Sequence, residues 1–581
     1  MIQPASAAVS SAPSPARETT HDTSDAAASN ADGGGVGTLP VSRRVLALVI
    51  AVIAAHALLA WHVRARGIFT SGDDAAYLLL GRALRALSYR EVQFIGEPIA
   101  ARFPPGYPAV LAILGPFGDR LGVIAAAGVA FTASGLIALF DVIRRRWSEQ
   151  LALLVTAVVA VNPAVVANAG AIASEGMFTA ATLWALWAAD RSDHGERRGF
   201  VAGAAAIIAA MTRSAGVTVP VSLGLHWLFR RRYRLATTLA LASALTVGVW
   251  LAWTAVAPKR EVRRSYIDDA VNIRSGDGTM LGTLVARITT NVATYGGQAL
   301  PSELHLPLSR RTQVDNLAWV ALLIGLGLTG AASAWRRWNT AAIWTVVYAG
   351  LLTVWPFTLP RFLHPALPVI IAFVLIGAWT IGQRFARGKG TATIGAATTG
   401  ALLAAYGLGG SAQLVSQAVA CDRARVDCAP PASLDYLDAA KYLAAHTPSD
   451  ARLIVPKNAT VYYYARRQSA FWDEVIVQDS ASFLPFLERN GVGYVLITPV
   501  YSDQLTLARL ALTHCTHFDL VQAFSPETII LMRRETPSAE RDTPACRAAA
   551  RAASRAAVRD SGDDADTFRI VDYGDTVRIV D

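Results

Sequence analysis

From Val45 onward the chain alternates long apolar runs with short polar links. The runs at 45–63, 120–143, 149–167, 175–190, 199–213, 216–229, 235–257, 315–335, 340–358, 362–383 and 391–415 are candidates for bilayer crossings, each of which takes roughly 20 apolar residues as a helix. The pattern predicts a polytopic α-helical membrane protein with about 11 transmembrane helices over residues 43–415. A further apolar piece, 106–117, is expected to lie in the interface or re-enter, because a full crossing there would invert the side of every later link. The stretch 199–229 offers about 31 residues, too few for two full crossings. Its turn, "MTRSAG", is therefore expected below the membrane surface.

The pattern changes on both flanks. Residues 1–42, rich in Ala, Ser, Thr and Gly, hold no apolar run and read as a disordered cytoplasmic tail. The first run follows Ser42-Arg43-Arg44 without a small-x-small cleavage site, which fits a retained span better than a signal peptide. Within 416–536, "SLDYLDAAKYLAAHT" and "ASFLPFLERNG" read as helices, and "ARLIVP", "GYVLITP" and "ETIILMRR" as short strands. That alternation predicts a small external α/β domain. Its segment "VYYYARRQSAFW" either caps the structure or offers aromatic faces to a glycan. Residues 537–581, rich in Ala, Arg and Asp, read as a second disordered tail.

Composition and charge sharpen the topology. A chain 53% hydrophobic and 17% charged, with a mean hydropathy of +0.36, does not suit an ordinary soluble domain. The net charge of +10 sits mostly in links such as Arg144-Arg145-Arg146, Arg197-Arg198, Arg230-Arg231-Arg232 and Arg336-Arg337. Links of that kind mark the cytoplasmic side of a membrane rather than a nucleic-acid surface. With a cytoplasmic N-terminus, segments 64–119, 168–175 and 258–314, the turns at Arg213 and Arg361, and everything after about 416 fall outside. The first outer loop breaks the charge rule with Arg64, Arg66, Arg82, Arg85, Arg90 and Arg102, an exception suggesting a site that needs cations. Four cysteines lie in the last third, none at zinc spacing; Cys421 and Cys428 form a local disulfide or remain a free pair.

The candidate chemistry gathers on the outer side. "TSGDDAAYLLLGRAL" places Asp73 and Asp74 ahead of an amphipathic helix carrying Tyr77, which is expected to lie on the bilayer surface. A capping box from Ser71 accounts for Asp74 but leaves Asp73 unexplained. "ARFPPGYP" fixes Arg102 before two prolines, "ASEGMF" puts Glu175 at a span start, and "LPRFLHPALP" sets Arg361 and His364 at an outer mouth. Arg213 either snorkels to the interface or serves as an anion ligand. Carboxylates and several arginines at one lipid boundary suit the gripping of a lipid-linked phosphate while a base deprotonates an attacking hydroxyl.

On Gly72-Asp73-Asp74 with Tyr77, Arg102-Phe103-Pro104-Pro105-Gly106-Tyr107-Pro108, Ser174-Glu175, Thr212-Arg213 and Arg361-Phe362-Leu363-His364-Pro365 with Pro368, the chain resembles the type-C glycosyltransferase superfamily over roughly 45–415. Within it the nearest likeness is to the bacterial protein-mannosyltransferase and aminoarabinose-transferase group. The resemblance implies an integral-membrane enzyme moving a sugar from a polyprenyl-phosphate donor to an acceptor hydroxyl with inversion. The acceptor would be a glycan, lipid or protein, and the site would face the periplasmic side of a bacterial inner membrane. It implies Asp73 as general base or its close helper, Asp74 as second acid, Glu175 as second-loop acid, and Arg213 and Arg361 as clamps on the phosphate. Tyr77, Arg102 and His364 would help bind substrate, and Asp73 with Asp74 could hold Mg2+ or Mn2+. Other classes consistent with the residues are a lipid-linked glycan transporter or flippase and a non-catalytic membrane assembly factor. No internal repeat of the transporter kind is evident.

Overall fold

A computed structural model of the chain describes residues 41–68, 73–115, 120–192, 195–256, 280–306, 313–385, 389–424, 429–475, 478–500 and 504–561. The expected N-terminal tail up to residue 40, Ser71 of the expected capping box, Gly72, Cys428 and residues 562–581 lie outside them.

The helical body begins with α1 (Arg43–His62), whose first turn is capped by the Ser42 hydroxyl accepting from the Val45 N–H at 3.3 Å. In the first loop come α2 (Asp74–Arg85) and α3 (Gly106–Leu114), followed by α4 (Leu121–Arg146). Then α5 (Glu149–Ala160) and α6 (Pro163–Gly170) meet at a 63° bend. The bend has a local cause: Pro163 cannot donate a backbone hydrogen bond, and Asn162 before it is extended, with φ −67° and ψ 128°. Next are α7 (Glu175–Ala189), α8 (Glu196–Thr212), α9 (Thr218–Phe229), α10 (Tyr233–Ser243), α11 (Val249–Val256), α12 (Met280–Thr294) and α13 (Leu300–Glu303). The body closes with α14 (Gln313–Arg337), α15 (Asn339–Val354), α16 (Leu367–Phe385) and α17 (Lys389–Ala424).

Each predicted apolar run is helical over most of its length. Among the described residues, five helices are long and apolar enough to cross a membrane, or six if the bent α5–α6 pair is one span. The chain is thus a multi-pass membrane protein, and α3, with 9 residues or about 14 Å of rise, is too short to cross. Within the 258–314 segment, expected outside the membrane, the described residues carry α12 and α13, joined through a π-turn at Tyr295–Ala299. The expected surface placement of α2 is corrected: nine of its 12 residues, Asp74 through Gly81 and Ala83, are buried. Its helix packs between α3 and the C-terminal region, so the amphipathic pattern reflects a protein face rather than a lipid one.

After α17 come α18 (Pro431–His446), β1 (Arg452–Ile454), α19 (Asn458–Ala465), α20 (Trp472–Val475), α21 (Ser480–Asn490), β2 (Val492–Ile497), α22 (Gln504–Thr513), β3 (Phe518–Ala523), β4 (Ile529–Arg533) and α23 (Pro544–Ser561). The four strands form one sheet in the order β1-β2-β4-β3, with β1 and β2 parallel and the others antiparallel. Phe483, Leu487, Val495, Ile497, Phe518 and Leu531 form its core.

The disordered reading of 537–581 is overturned for α23. Ala545, Ala548, Ala549, Ala552, Ala553 and Ala556 recur at helical spacing and are buried, while Arg547, Arg551 and Arg555 are exposed. Alanine is the strongest helix former, and here it gives a flat face that packs closely on the sheet region. Cys546 at the helix start is disulfide-bonded to Cys515, a pairing that spacing did not reveal. Cys421 is also disulfide-bonded.

This region holds the first loop in place. Ser469 N–H donates to Gln93 O and Ile95 N–H to Ser469 O, both at 3.0 Å, and Phe94 stacks on Phe471 at 3.9 Å. The tyrosines of "VYYYARR" pack inward on the same loop. Tyr462, Tyr463 and Tyr464 abut the cluster containing Ala76, Leu79 and Leu80, and Arg82 lies over the Tyr463 ring at 4.8 Å.

Candidate active site

Four chain segments converge on one cleft of about 560 Å3, whose lining includes Asp73, Tyr77, Arg102, Arg213, Tyr348 and Arg361. Asp73 immediately precedes α2. Arg102 is exposed on the extended entry to α3, whose close docking on α8 needs Gly106, since a Cβ there would lie 2.5 Å from the Met211 carbonyl oxygen. Arg213 is an extended residue between α8 and the short 3-10 turn Ser214–Val217. Arg361 sits on a second 3-10 turn, Pro360–Ala366, which leads into α16.

Inside the cleft the charges alternate. Arg361 Nη1 donates to Asp73 Oδ2 at 2.9 Å, with side-chain exposures of 16% and 30%. Arg213 Nη1 lies 2.5 Å from Glu175 Oε1 and donates to Ser174 Oγ at 3.0 Å. Ser174 Oγ also hydrogen-bonds the Tyr77 hydroxyl at 2.9 Å. Tyr77 is held by edge and tilted contacts with Tyr107 and Phe103 at 5.0 and 4.9 Å. Burial opposes ionisation of Asp73, but the fields of Arg361, Arg102, Lys457 and Arg213 outweigh it and hold the carboxyl below its ordinary range.

The predicted residues therefore divide. Asp73, Tyr77, Arg102, Arg213 and Arg361 line the cleft. Glu175 stands behind the cleft, paired with Arg213, and lines a second, mainly apolar cavity of about 370 Å3 deeper in the helices. His364 faces that inner cavity and not the cleft. Its Nε2 meets Glu303 Oε2 at 3.0 Å, and its Nδ1 accepts from the Asn168 side-chain amide. Asn168 Nδ2 also donates to Ala164 O at 2.8 Å. Asp74 is fully buried, accepts from the Ala75 N–H at 2.8 Å and lies near Tyr436 and Tyr107, off the cleft lining. Successive helical residues point about 100° apart, so one of two adjacent carboxylates must leave the cleft.

That divergence also bears on a metal. Among the described residues no three His, Cys, Asp or Glu side chains gather to hold one, and Asp73 is met by a guanidinium rather than by Asp74. The residues do not fit a Mg2+ or Mn2+ site built on the acidic pair. Sequence reasoning missed Asn168, Glu303 and Lys457. The first two carry no motif, and Lys457 lies in a region whose composition is ordinary for a soluble domain.

A first loop bearing Asp73, proline-led turns carrying Arg102 and Arg361, and an α/β region seated on that loop make up a fold that solved structures share. The chain is similar to ArnT from Cupriavidus metallidurans bound to undecaprenyl phosphate, with a TM-score of 0.53 and 14% identity over 86% of this chain and 100% of that one. It is also similar to the oligosaccharyltransferase AglB from Archaeoglobus fulgidus, in complex with an inhibitory peptide and a dolichol-phosphate, with a TM-score of 0.52 and 12% identity over 87% and 77%. A further structure of the Archaeoglobus fulgidus oligosaccharyltransferase, in complex with Zn and sulfate, matches with a TM-score of 0.50 and 12% identity over 79% and 69%. No family profile and no curated protein matches the sequence.

Proposed function

We propose that this protein is a glycosyltransferase that moves a sugar from a polyprenyl-phosphate donor to an acceptor hydroxyl. The observation that carries the reading is the alternation of two carboxylates with arginines around one open cleft. Arg361, Arg213 and Arg102 bind the donor phosphate. The acceptor oxygen attacks the anomeric carbon as the bond from that carbon to the phosphate oxygen breaks, and the hydroxyl proton passes to Asp73. A single displacement of this kind inverts the anomeric centre. Polyprenyl phosphate leaves as a dianion, and its added charge develops against fixed guanidiniums, which is usually the larger catalytic contribution.

The resting ion pair supports this sequence of events. While Arg361 holds Asp73, the carboxylate is a weak base. A phosphate that draws Arg361 toward itself releases Asp73 and raises its basicity only when the donor is present. Coupling of that kind protects against idle proton uptake.

The proposed side is the outer face. Glu175, at the start of α7, pairs with the cleft residue Arg213, while Asp190, just after the end of α7, pairs with Arg146 at 2.9 Å. The basic links thus belong to the end of α7 opposite the cleft, as cytoplasmic placement of those links requires. In a bacterium this is the periplasmic face of the inner membrane.

The test is incubation of membranes carrying the protein with radiolabelled polyprenyl-phosphate sugars and a panel of glycan, lipid and protein acceptors. Covalent transfer that disappears in Asp73→Asn is the expected result. Vectorial movement of the lipid without transfer would replace this reading with a flippase.

A further inference from the structure

The three arginines of the cleft, Arg102, Arg213 and Arg361, are set against two carboxylates, Asp73 in the lining and Glu175 behind Arg213, which leaves the group one positive charge in excess. A monoester phosphate carries about −1.5 to −2 near neutral pH. One more cation would match it. We infer that Lys457, supplied by the C-terminal α/β region, is that fourth cation and holds the lipid-borne phosphate together with Arg102, Arg213 and Arg361. The inference deepens the proposed function and rests on it.

Placement of Lys457 comes from the fold. It stands between β1 and α19, and two residues further on Ala459 is buried in the same cluster as Ala75, Ala76 and Leu79 of α2, the helix that Asp73 precedes. The backbone there is fixed from behind. The fully buried Tyr436 hydroxyl donates to Pro456 O at 2.6 Å and to Lys457 O at 3.0 Å. Lys457 itself is left-handed, with φ 47° and ψ 45°, a conformation that strains a non-glycine residue. A turn that only needed to fold would be better served by glycine. Lysine at this position gives up backbone ease and sets an ammonium at the turn into α19, the helix docked on α2 next to Asp73. With it present, the cleft rests two charges positive, equal and opposite to the leaving group it must retain.

The backbone conformation supplies the test. Lys457→Gly fits the left-handed turn and removes only the charge, so it should fold with equal or higher thermal stability. Binding of undecaprenyl phosphate, added as the lipid alone to the full-length purified protein, should weaken about tenfold in Lys457→Gly and about a hundredfold in Lys457→Glu. Lys457→Arg should retain binding within about threefold. The control is Lys441→Ala, an exposed lysine of α18 paired with Asp438 at 3.2 Å, which should change nothing. Wild-type affinity in both Lys457→Gly and Lys457→Glu overturns the inference and leaves the glycosyltransferase reading standing. Failure of the wild-type protein itself to bind the lipid overturns both.

Discussion

Two ends of α7 use the same residue types for different ends. Beyond its C-terminus, Asp141 accepts from Arg144 at 2.8 Å, Arg145 at 2.9 Å, the Trp187 indole at 2.8 Å and Arg191. Arg191 also lies over the Trp187 ring at 4.0 Å, and Arg146 takes Asp190. Every oxygen of that carboxylate is engaged, and none of its residues borders either described cavity. At the other end, Asp73 and Glu175 each have one guanidinium as principal partner and each lines a cavity, Asp73 the cleft and Glu175 the inner one. Acids and arginines in one place therefore do not define a site. A site is the place where such groups border a volume that a ligand can enter, while the same groups saturated by one another make a clamp.

The sharpest way to break this contrast is a reciprocal pair of substitutions. Asp73→Asn should lower transfer by about a thousandfold to ten-thousandfold, the upper range for general-base catalysis, while leaving thermal unfolding in detergent nearly unchanged. Asp141→Asn should do the opposite. It leaves three arginines around a neutral amide and should cost about 1–3 kcal/mol of stability, with turnover per folded molecule retained. Equal stability losses in the two variants, or transfer surviving in Asp73→Asn, would erase the distinction between site and clamp.

A smaller effect sharpens the electrostatic half of the contrast. Arg361→Ala should reduce transfer by about a hundredfold to a thousandfold, as loss of a donor to developing negative charge does elsewhere. It should also move the pH profile. Asp73 must be ionised to act, and in the free protein its carboxyl is held low, so wild-type kcat/KM falls only when the pH drops below the ordinary aspartate range. Removing Arg361 leaves burial opposed by fewer cations, so the acid limb shifts to higher pH. Asp141→Asn should not move it. A limb unchanged in Arg361→Ala would show that another group governs the rate.

The contrast also explains what the sequence made legible. Charges are conspicuous in an apolar chain, so Asp73, Arg102, Glu175, Arg213 and Arg361 could be singled out before any fold was known, and helical runs follow from their length. Position on a helix was harder. Asp73 and Asp74 are adjacent in sequence, yet one lines the cleft and the other is buried near Tyr436. Lys457 was hidden for another reason. It is carried to the neighbourhood of Asp73 by docking of α19 on α2, a contact some 380 residues apart in sequence, and nothing local marks it. The alanine-rich α23 was mistaken for a tail because its composition is simple, although its buried positions keep the helical period.

The smallest expected effect concerns how Arg361 is aimed. The 3-10 turn bearing it also bears His364, whose two ring nitrogens are held by different segments: Nδ1 by Asn168 at the end of α6, and Nε2 by Glu303 at the end of α13. Glu303 is tied down in turn, its backbone carbonyl accepting from Asn162 Nδ2 at 2.8 Å at the α5–α6 bend. With Nδ1 accepting from the amide, the ring proton lies on Nε2 and points at the Glu303 carboxylate. This lattice fixes the turn three residues from Arg361 without touching the cleft. Glu303→Ala should therefore lower kcat by about tenfold with little change in donor KM, since misaiming a group that acts on developing charge hurts the transition state more than the ground state. Glu303→Gln, whose amide oxygen still accepts from Nε2–H, should recover most of that loss. A purely structural role would show equal thermal destabilisation of both variants with no such recovery in kcat.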